Sequence, residues 1–187
     1  MEYLDIVDEN GEPTGKTVER GFAHSNGIPH RTSHVWLIRK NARRQTEILL
    51  QKRSDVKDCF PGCYDISSAG HIPAGSDFLN SAVRELKEEL GITADKSELI
   101  YIGRRKDGFS KEFYGKEFID VQISNVYLFK CELSKSEMSL QKEEVSDVLW
   151  LPLETALFKV KNNEFPHCIA AEELEMIIKY ISEHDIL

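Results

Sequence analysis

The chain has 187 residues, 41% hydrophobic and 30% charged, a composition typical of a folded globular protein rather than a disordered one. Its formal net charge is −8, from 24 basic and 32 acidic residues, so the clustered positive charge that binds a nucleic-acid polymer or a membrane surface is not expected. No apolar run approaches the roughly 20 residues that span a bilayer, and the first residues show no signal-peptide pattern. We expect a cytoplasmic protein with one domain, residues 1–187.

Apolar and β-branched runs predict strands first, and then alternating helices and strands. The predicted strands are Tyr3–Val7, His34–Arg39, Glu47–Lys52, Tyr64–Ala69, Leu99–Arg104, Gln122–Cys131 and Val148–Leu151, and the predicted helices are 77–90, Leu153–Phe158 and Ile169–Ile181. The stretch after the first strand, up to residue 32, is expected to be irregular. This order favours an α/β fold, a sandwich with a mixed β-sheet.

The four cysteines, Cys59, Cys63, Cys131 and Cys168, form no CxxC pair. A zinc site from Cys59, Cys63 and His71 would have a spacing that matches no common structural zinc pattern. We therefore interpret the cysteines as reduced, partly buried thiols, which are typical of a reducing compartment.

The helix predicted over residues 77–90 is the clearest element of the sequence. Its apolar residues fall on one stripe at helical spacing, namely Leu79, Ala82, Val83, Leu86 and Leu90. Ser76 or Asp77 can cap its first turn, and Gly91 can end it in the left-handed conformation.

Three glutamates on this helix carry the chemical signal. Glu85, Glu88 and Glu89 stand at i, i+3 and i+4, within a sector of about 100° beside the apolar stripe. Carboxylates this close repel one another unless a cation lies among them, and Mg²⁺ or Mn²⁺ prefers such oxygen ligands. A solvated acidic face, with Arg84 paired to Glu88, is the alternative that spacing alone leaves open.

The stretch from Gly70 to Ile92 resembles the Nudix box, G-x5-E-x7-R-E-U-x-E-E-x-G-U, in which U is aliphatic. The matching residues are Gly70, Arg84, Glu85, Leu86, Glu88, Glu89, Gly91 and Ile92. One position departs, because Ser76, followed by Asp77, stands where the pattern has its first Glu. This departure bears on catalytic efficiency and loop rigidity rather than on family membership.

The resemblance implies a Nudix α/β/α sandwich and a hydrolase that cleaves a diphosphate linkage in a nucleoside-diphosphate-type or related small molecule. It implies Mg²⁺ as the cofactor, with Mn²⁺ as a substitute, held by Glu85, Glu88, Glu89 and the Gly70 carbonyl. Arg84 would fix Glu85 or Glu88 by a charged hydrogen bond, and one of these glutamates or a later carboxylate would deprotonate the attacking water. Homodimers are common in the family, and the sequence leaves the oligomeric state open.

Several segments outside the box carry a second resemblance, among them Asp5–Gly11, His30–Ile38, Leu49–Ser54, Asp65–His71, Phe118–Gln122 and Asn125–Leu128. Together with the box they cover most of the chain, and they look like the isopentenyl-diphosphate-isomerase-like group of Nudix proteins. The isomerase uses a cysteine acid just before its Gly-His pair and a Glu on a later strand. Ala69 and Gln122 occupy these positions here, with Asp120 close by, and alkene protonation without its acid fails on chemical grounds. Hydrolysis is therefore favoured, and the alternatives are an isomerase-like enzyme or a non-catalytic diphosphate-binding module.

Histidines and basic residues complete the candidate site. His24, His30 and His71 resemble, in position, the histidines that hold a metal in the isomerase, although the spacing from His24 to His30 is one residue short. We interpret His30 and His71 as structural or substrate-contacting residues, and His34 as a packing residue. The candidates for contacts with the substrate phosphates are Lys52, Arg53 and Arg20, each of which is equally compatible with a surface charge.

Overall fold

Nine strands and four helices make up the computed structural model, which describes residues 1–187. The strands are β1 (Tyr3–Val7), β2 (Pro13–Glu19), β3 (His30–Lys40), β4 (Thr46–Arg53), β5 (Tyr64–Asp65), β6 (Ser68–His71), β7 (Ile100–Phe113), β8 (Lys116–Lys130) and β9 (Val145–Pro152). The helices are α1 (Arg20–Asn26), α2 (Phe78–Leu90), α3 (Leu153–Lys161) and α4 (Ala171–Glu183). No helix is long and apolar enough to cross a membrane.

Seven of the strands form one sheet, in the order β5-β4-β3-β8-β7, with β6 paired to β3 and β9 paired to β4. β3 and β8 are parallel, with His30 opposite Gln122 and Ile38 opposite Lys130. The other pairs in this sheet are antiparallel, so the sheet is mixed, as predicted. β1 and β2 form a separate two-stranded sheet.

Helices cover both faces of the main sheet because its central strands are apolar on both faces. On one face, Leu86 and Leu90 of α2 pack in a core with Val35 of β3. On the other face, Leu174 of α4 packs in a second core with Trp36, the next residue of the same strand. The three layers are the α/β/α order that the resemblance implied.

The start and end of α2 follow the capping chemistry expected from the sequence. Asp77, rather than Ser76, is the N-cap, and its Oδ1 accepts a hydrogen bond from the backbone N–H of Asn80 at 2.7 Å. The helix ends at Gly91, whose φ of 71° lies in the left-handed region that glycine adopts without strain.

The longest difference from the predicted elements is the hairpin of β7 and β8. Both strands extend well beyond the predicted Leu99–Arg104 and Gln122–Cys131, as far as a turn at Tyr114 and Gly115. The φ values at this turn are 51° and 75°, which suit a two-residue hairpin connection. The apolar side chains among the added residues do not alternate regularly, and cross-strand pairs stabilise the hairpin instead, including the contacts of Phe118 with Phe109 and Phe113.

Two further predictions were wrong in detail. Residues 13–26 are not irregular, because β2 pairs with β1 and Glu19 caps α1 by accepting from Phe22 N at 2.9 Å. The predicted strand Tyr64–Ala69 is two strands, one paired with β4 and one with β3. The break lies at Ser67, whose hydroxyl donates to the Leu49 carbonyl at 2.6 Å and accepts from Leu37 N at 2.9 Å.

Candidate functional site

The carboxylates of α2 differ in how far they are buried. Glu89 is only 6% exposed and the Glu85 side chain 13%, whereas half of the Glu88 side chain is exposed. Arg84 joins two of them, donating to Glu85 Oε1 at 2.6 Å and to Glu88 Oε2 at 2.8 Å. A third bond, to the His71 carbonyl at 3.3 Å, ties the guanidinium to β6, so Arg84 holds the helix face against the strand.

Burial disfavours the ionised forms of Glu85 and Glu89 unless a cation lies near them. It raises the pKa of Glu85 to about 7, against the lowering effect of Arg84, and it raises the pKa of Glu89 to about 8, with a further contribution from the charge of Glu85. Glu89 forms no ion pair, and its Oε2 accepts one hydrogen bond, from Ala69 N at 3.2 Å. Two desolvated carboxylates side by side suit a hard divalent cation, so this donor set fits Mg²⁺ or Mn²⁺.

Gly70 leaves the space in which Glu85 lies. A Cβ added to Gly70 would lie 2.1 Å from Glu85 Oε1 and 2.2 Å from its carboxyl carbon, distances that no side chain tolerates. The glycine that begins the box is therefore required for close approach of the carboxylate to β6, and this approach places the Gly70 backbone beside the Glu85 carboxylate.

A cavity of about 310 Å³ opens beside these carboxylates. Its lining includes eight of the residues predicted for the site, which are Glu85, Glu88, Glu89, Arg84, Gly70, His71, Arg20 and Arg53. Lys52 does not line the cavity, and His30 lies fully buried behind it. The elements α1, β4, β6 and α2 therefore bring these eight predicted residues to one place.

Three histidines converge next to this cavity. One ring nitrogen each from His24, His30 and His71 lies within 4.8 Å of the others, and the His24 and His71 Nε2 atoms are 3.1 Å apart. Asp120 Oδ1 lies 3.3 Å from His30 Nε2, without hydrogen-bond geometry. The spacing from His24 to His30 made His24 the least certain member of this group in the sequence. In the structure, α1 contains His24 and ends at the left-handed Gly27, and His24 lies with the other two histidines.

His24 and His71 have the protonation state that a metal requires. Burial lowers the pKa of His24 to about 4, aided by His30 and opposed by Asp120, and burial also holds the pKa of His71 well below 6.5. Neutral imidazole is the form that binds a cation. The buried Nε2 of His30 and Oδ1 of Asp120 have no hydrogen-bond partner, so this donor set also fits a divalent ion.

Two of the predicted phosphate-binding cations are already paired. Arg53 donates to Asp65 Oδ2 at 2.9 Å and to the Cys59 carbonyl, which holds it in the wall of the cavity. Arg20 pairs with Glu2 at 3.0 Å but keeps 43% of its side chain exposed. Arg20 is therefore the more available of the two for a substrate.

Sequence reasoning missed several lining residues. Lys57 and Phe60 come from the loop after β4, and Phe109 and Phe118 come from the outer part of the β7–β8 hairpin. His34 lines the cavity although it was interpreted as packing. The alternation of β3 was the available signal, because it places His34 on the same face as His30.

A family model and two relatives of known sequence agree on the family of this chain. Residues 29–170 match the model of the NUDIX domain. Over 161 residues, 82% of this chain, the sequence is 41% identical to Nudix hydrolase 3 of Arabidopsis thaliana, and over 108 residues, 58% of this chain, it is 44% identical to an uncharacterized Nudix hydrolase of Clostridium acetobutylicum. The chain spans only 19% and 51% of those two relatives.

A solved structure from Deinococcus radiodurans shows the same fold. It covers 93% of this chain and 98% of its own, with a TM-score of 0.67 and 22% sequence identity. At this identity the likeness concerns the arrangement of strands and helices rather than the substrate.

Proposed function

Because this chain belongs to the Nudix family, we propose that it is a hydrolase that cleaves a diphosphate linkage in a nucleoside-diphosphate-type or related small molecule. The observation that carries the proposal is the position of Glu85 and Glu89, since Glu89 is buried, the Glu85 side chain is only 13% exposed, and both lie in the wall of an open cavity. A divalent cation would offset the desolvation that raises the pKa of both.

The cofactor of the proposed reaction is Mg²⁺, with Mn²⁺ as a substitute, and Glu85, Glu89 and the Gly70 carbonyl would hold it, with Glu88 as a further ligand. Bound there, the ion would neutralise phosphate oxygens and lower the pKa of a water molecule. Arg84 positions Glu85 and Glu88 by its two charged hydrogen bonds. Glu85 or Glu88 then accepts the proton of the attacking water, and Glu88 is the more accessible of the two.

Substrate binding is proposed for the basic and imidazole groups around the cavity. Arg20, Arg53 and His71 line the cavity and would contact the diphosphate. His30 is fully buried behind the cavity lining and would act from that position. Lys52 lies outside the lining, so we assign it no substrate contact.

The test is a phosphate-release screen with Mg²⁺ or Mn²⁺ over nucleoside di- and triphosphates, dinucleotides, nucleotide sugars and isoprenoid diphosphates. Glu89→Gln removes a buried ligand with little change of shape, and Glu183→Gln makes the same change on an exposed position. We expect one class of substrate to be hydrolysed by the wild type and by E183Q, and E89Q to lose at least about a hundredfold in rate. A folded wild type that binds metal and diphosphates but hydrolyses nothing would indicate the non-catalytic module instead.

An isomerase-like activity is the second candidate, and the histidine group favours it. His24, His30 and His71, with Asp120 beside them, form the kind of ligand set that the resemblance to the isomerase implies. Ala69, at the position of the isomerase acid, opposes it. Incubation with isopentenyl diphosphate separates the two activities, because an isomerase yields the allylic isomer and a hydrolase releases phosphate.

Three broader features are also part of the proposal. Residues 1–187 would form one domain around the box at 70–92, and the matched region 29–170 supports this. A cytoplasmic location is supported by the four cysteines, all of them free thiols. A homodimer stays a prediction, for which light scattering is the test.

A further inference from the structure

Four phenylalanines lie together outside the hydrophobic cores of the fold. Phe60 belongs to the loop after β4, and the other three, Phe109, Phe113 and Phe118, belong to the outer part of the β7–β8 hairpin. Each of the four side chains is partly buried, yet none packs in or against one of the core clusters. These rings therefore do not take part in the cores that hold the helices on the main sheet.

The four rings contact one another and the histidine group. The ring centroid of Phe60 lies 5.2 Å from that of Phe109 and 4.9 Å from that of Phe113, in both cases edge to face. Phe118 lies nearly parallel to Phe109, with 15° between the ring planes and 5.8 Å between the centroids. Phe118 also stacks on His24 at 4.3 Å. The rings thus form a continuous aromatic surface from the histidine group to the loop after β4.

Three of these rings line the cavity that also contains the carboxylates of α2. We call them the aromatic wall, which consists of Phe60, Phe109 and Phe118. Further apolar lining comes from Ile66, Ala69 and Ala170. A phenyl ring offers no hydrogen bond to water, so covering it with another apolar group is favourable. The aromatic wall is therefore suited to an apolar part of a bound molecule.

The backbone of Phe60 is held in a conformation that costs free energy. Its φ of 48° lies in the left-handed region, which a bulky side chain rarely adopts. Neighbouring hydrogen bonds hold the loop, because Arg53 donates to the Cys59 carbonyl from Nη2 at 2.9 Å and from Nε at 3.1 Å. Strain that persists at the wall of a cavity indicates that the position of the ring matters.

The aromatic wall lies within reach of a diphosphate held at α2. Phe118 stacks on His24, whose Nε2 is 3.1 Å from Nε2 of His71, and the His71 carbonyl accepts a hydrogen bond from Arg84. At the other end of the wall, Phe60 directly follows the residue whose carbonyl holds Arg53, a candidate for contact with the diphosphate. A group attached to that diphosphate therefore has the aromatic wall beside it.

We propose that Phe60, Phe109 and Phe118 bind the group attached to the diphosphate, and that this group presents an apolar surface, from an aromatic ring or from a hydrocarbon chain. The inference rests on the proposed function and specifies its substrate class. It can fail separately from that function, because binding can be measured without turnover.

The test is calorimetric titration with three probes that share one diphosphate, in Ca²⁺ in place of Mg²⁺ to suppress turnover. The probes are methyl diphosphate, n-octyl diphosphate and 2-phenylethyl diphosphate, and the last two carry the same number of carbon atoms as a chain or with a ring. We expect at least one of these two larger probes to bind the wild type about tenfold or more tightly than methyl diphosphate, with a more negative heat-capacity change. The tighter of the two identifies the apolar group as a ring or a chain.

Two variants remove one ring each from the aromatic wall. Phe60→Gly also relieves the left-handed strain, so its fold should be retained, and Phe109→Ala makes the change on the hairpin. Each should weaken binding of the tighter large probe by about fivefold or more, while binding of methyl diphosphate changes by less than about twofold. Phe158→Ala is the matched control and should change neither, because Phe158 is 59% exposed on α3 and lies outside the cavity.

Either of two results would overturn the inference alone. One is that methyl diphosphate binds the wild type as tightly as both larger probes do. The other is that the advantage of the larger probes survives in both F60G and F109A, whose folds thermal unfolding would verify. A wild type that binds none of the three probes would overturn the proposed function as well. Loss of turnover in E89Q bears only on the metal helix, so the two proposals are distinguishable.

Discussion

At the scale of single residues, Gly70 decides whether Glu85 can reach its position. Its φ is not in the left-handed region, so Gly70→Ala causes no backbone strain and acts only through the clash at 2.1 Å with Glu85 Oε1. We expect G70A to displace the carboxylate and to lower kcat/KM of the metal-dependent hydrolysis by about a hundredfold, as misplacement of a positioned group by about 1 Å does. Steady-state kinetics over a Mg²⁺ titration measures the effect.

Gly15→Ala is the comparison for this substitution. Gly15 has a φ of 80° and nothing within 4 Å of the added Cβ, so G15A introduces backbone strain far from the cavity without a clash. Its activity should equal that of the wild type. If G70A were as active as G15A, Glu85 would not need the space that the glycine leaves, and its assignment as a metal ligand would lose its geometric support.

At the scale of elements, α2 depends on Asp77 for its start. Oδ1 of Asp77 accepts from Asn80 N at 2.7 Å and Oδ2 accepts from the Asn80 side chain at 2.6 Å. We expect Asp77→Ala to lower the free energy of unfolding by about 1 kcal/mol, since an N-terminal backbone N–H then loses its acceptor. Urea denaturation checks this. Ser76→Ala, one residue earlier, should change the stability by less than about 0.5 kcal/mol because its hydroxyl does not cap the helix.

The same helix shows what a sequence can predict. Its apolar stripe, its caps and its three glutamates are all set by neighbours within four residues, so the carboxylate part of the candidate site follows from local spacing. The pair of His34 and Glu173 joins positions 139 residues apart, and no local pattern predicts it. The outer half of the β7–β8 hairpin was missed for a related reason, because its pairing compensates for a sequence without apolar alternation.

At the scale of the whole molecule, the main sheet lies between two ends of the cavity, one that contains Glu89 and one that contains Glu173. α2 covers one face and brings Glu89 against β6, while α4 covers the other face and brings Glu173 against β3. One end of the cavity carries Glu89, a carboxylate that forms no ion pair, and the other carries Glu173, whose carboxylate is bonded by Arg105, Trp36 and His34. The first end is therefore the one at which we propose a metal.

The raised pKa values of Glu85 and Glu89 affect how the free energy of unfolding depends on pH. Glu89 has an unfolded pKa near 4.5 and a folded pKa of about 8, and Glu85 is shifted in the same direction, to about 7. At pH values between the unfolded and the folded pKa of each group, the folded chain keeps a proton that the unfolded chain has released. The contribution of these two carboxyls to the free energy of unfolding therefore falls as pH rises. Glu173 has the opposite shift, but its contribution is lost only below its unfolded value of 4.5, outside this window.

We therefore expect the metal-free protein to be less stable near about pH 8 than near about pH 6.5, by up to about 1.4 kcal/mol per carboxyl for each pH unit over which the folded chain keeps the proton. The comparison starts at about pH 6.5 because His24 and His71, whose pKa values are lowered from 6.5, have the opposite effect on stability below it. Mg²⁺ should restore stability at the higher pH, because it binds the ionised carboxylates of the folded chain only. Urea unfolding at both pH values, with a chelator or with Mg²⁺, measures both effects. Glu89→Gln should flatten the pH dependence, and the exposed Glu183→Gln should not. If Mg²⁺ added no stability at the higher pH, these carboxylates would not be the metal site.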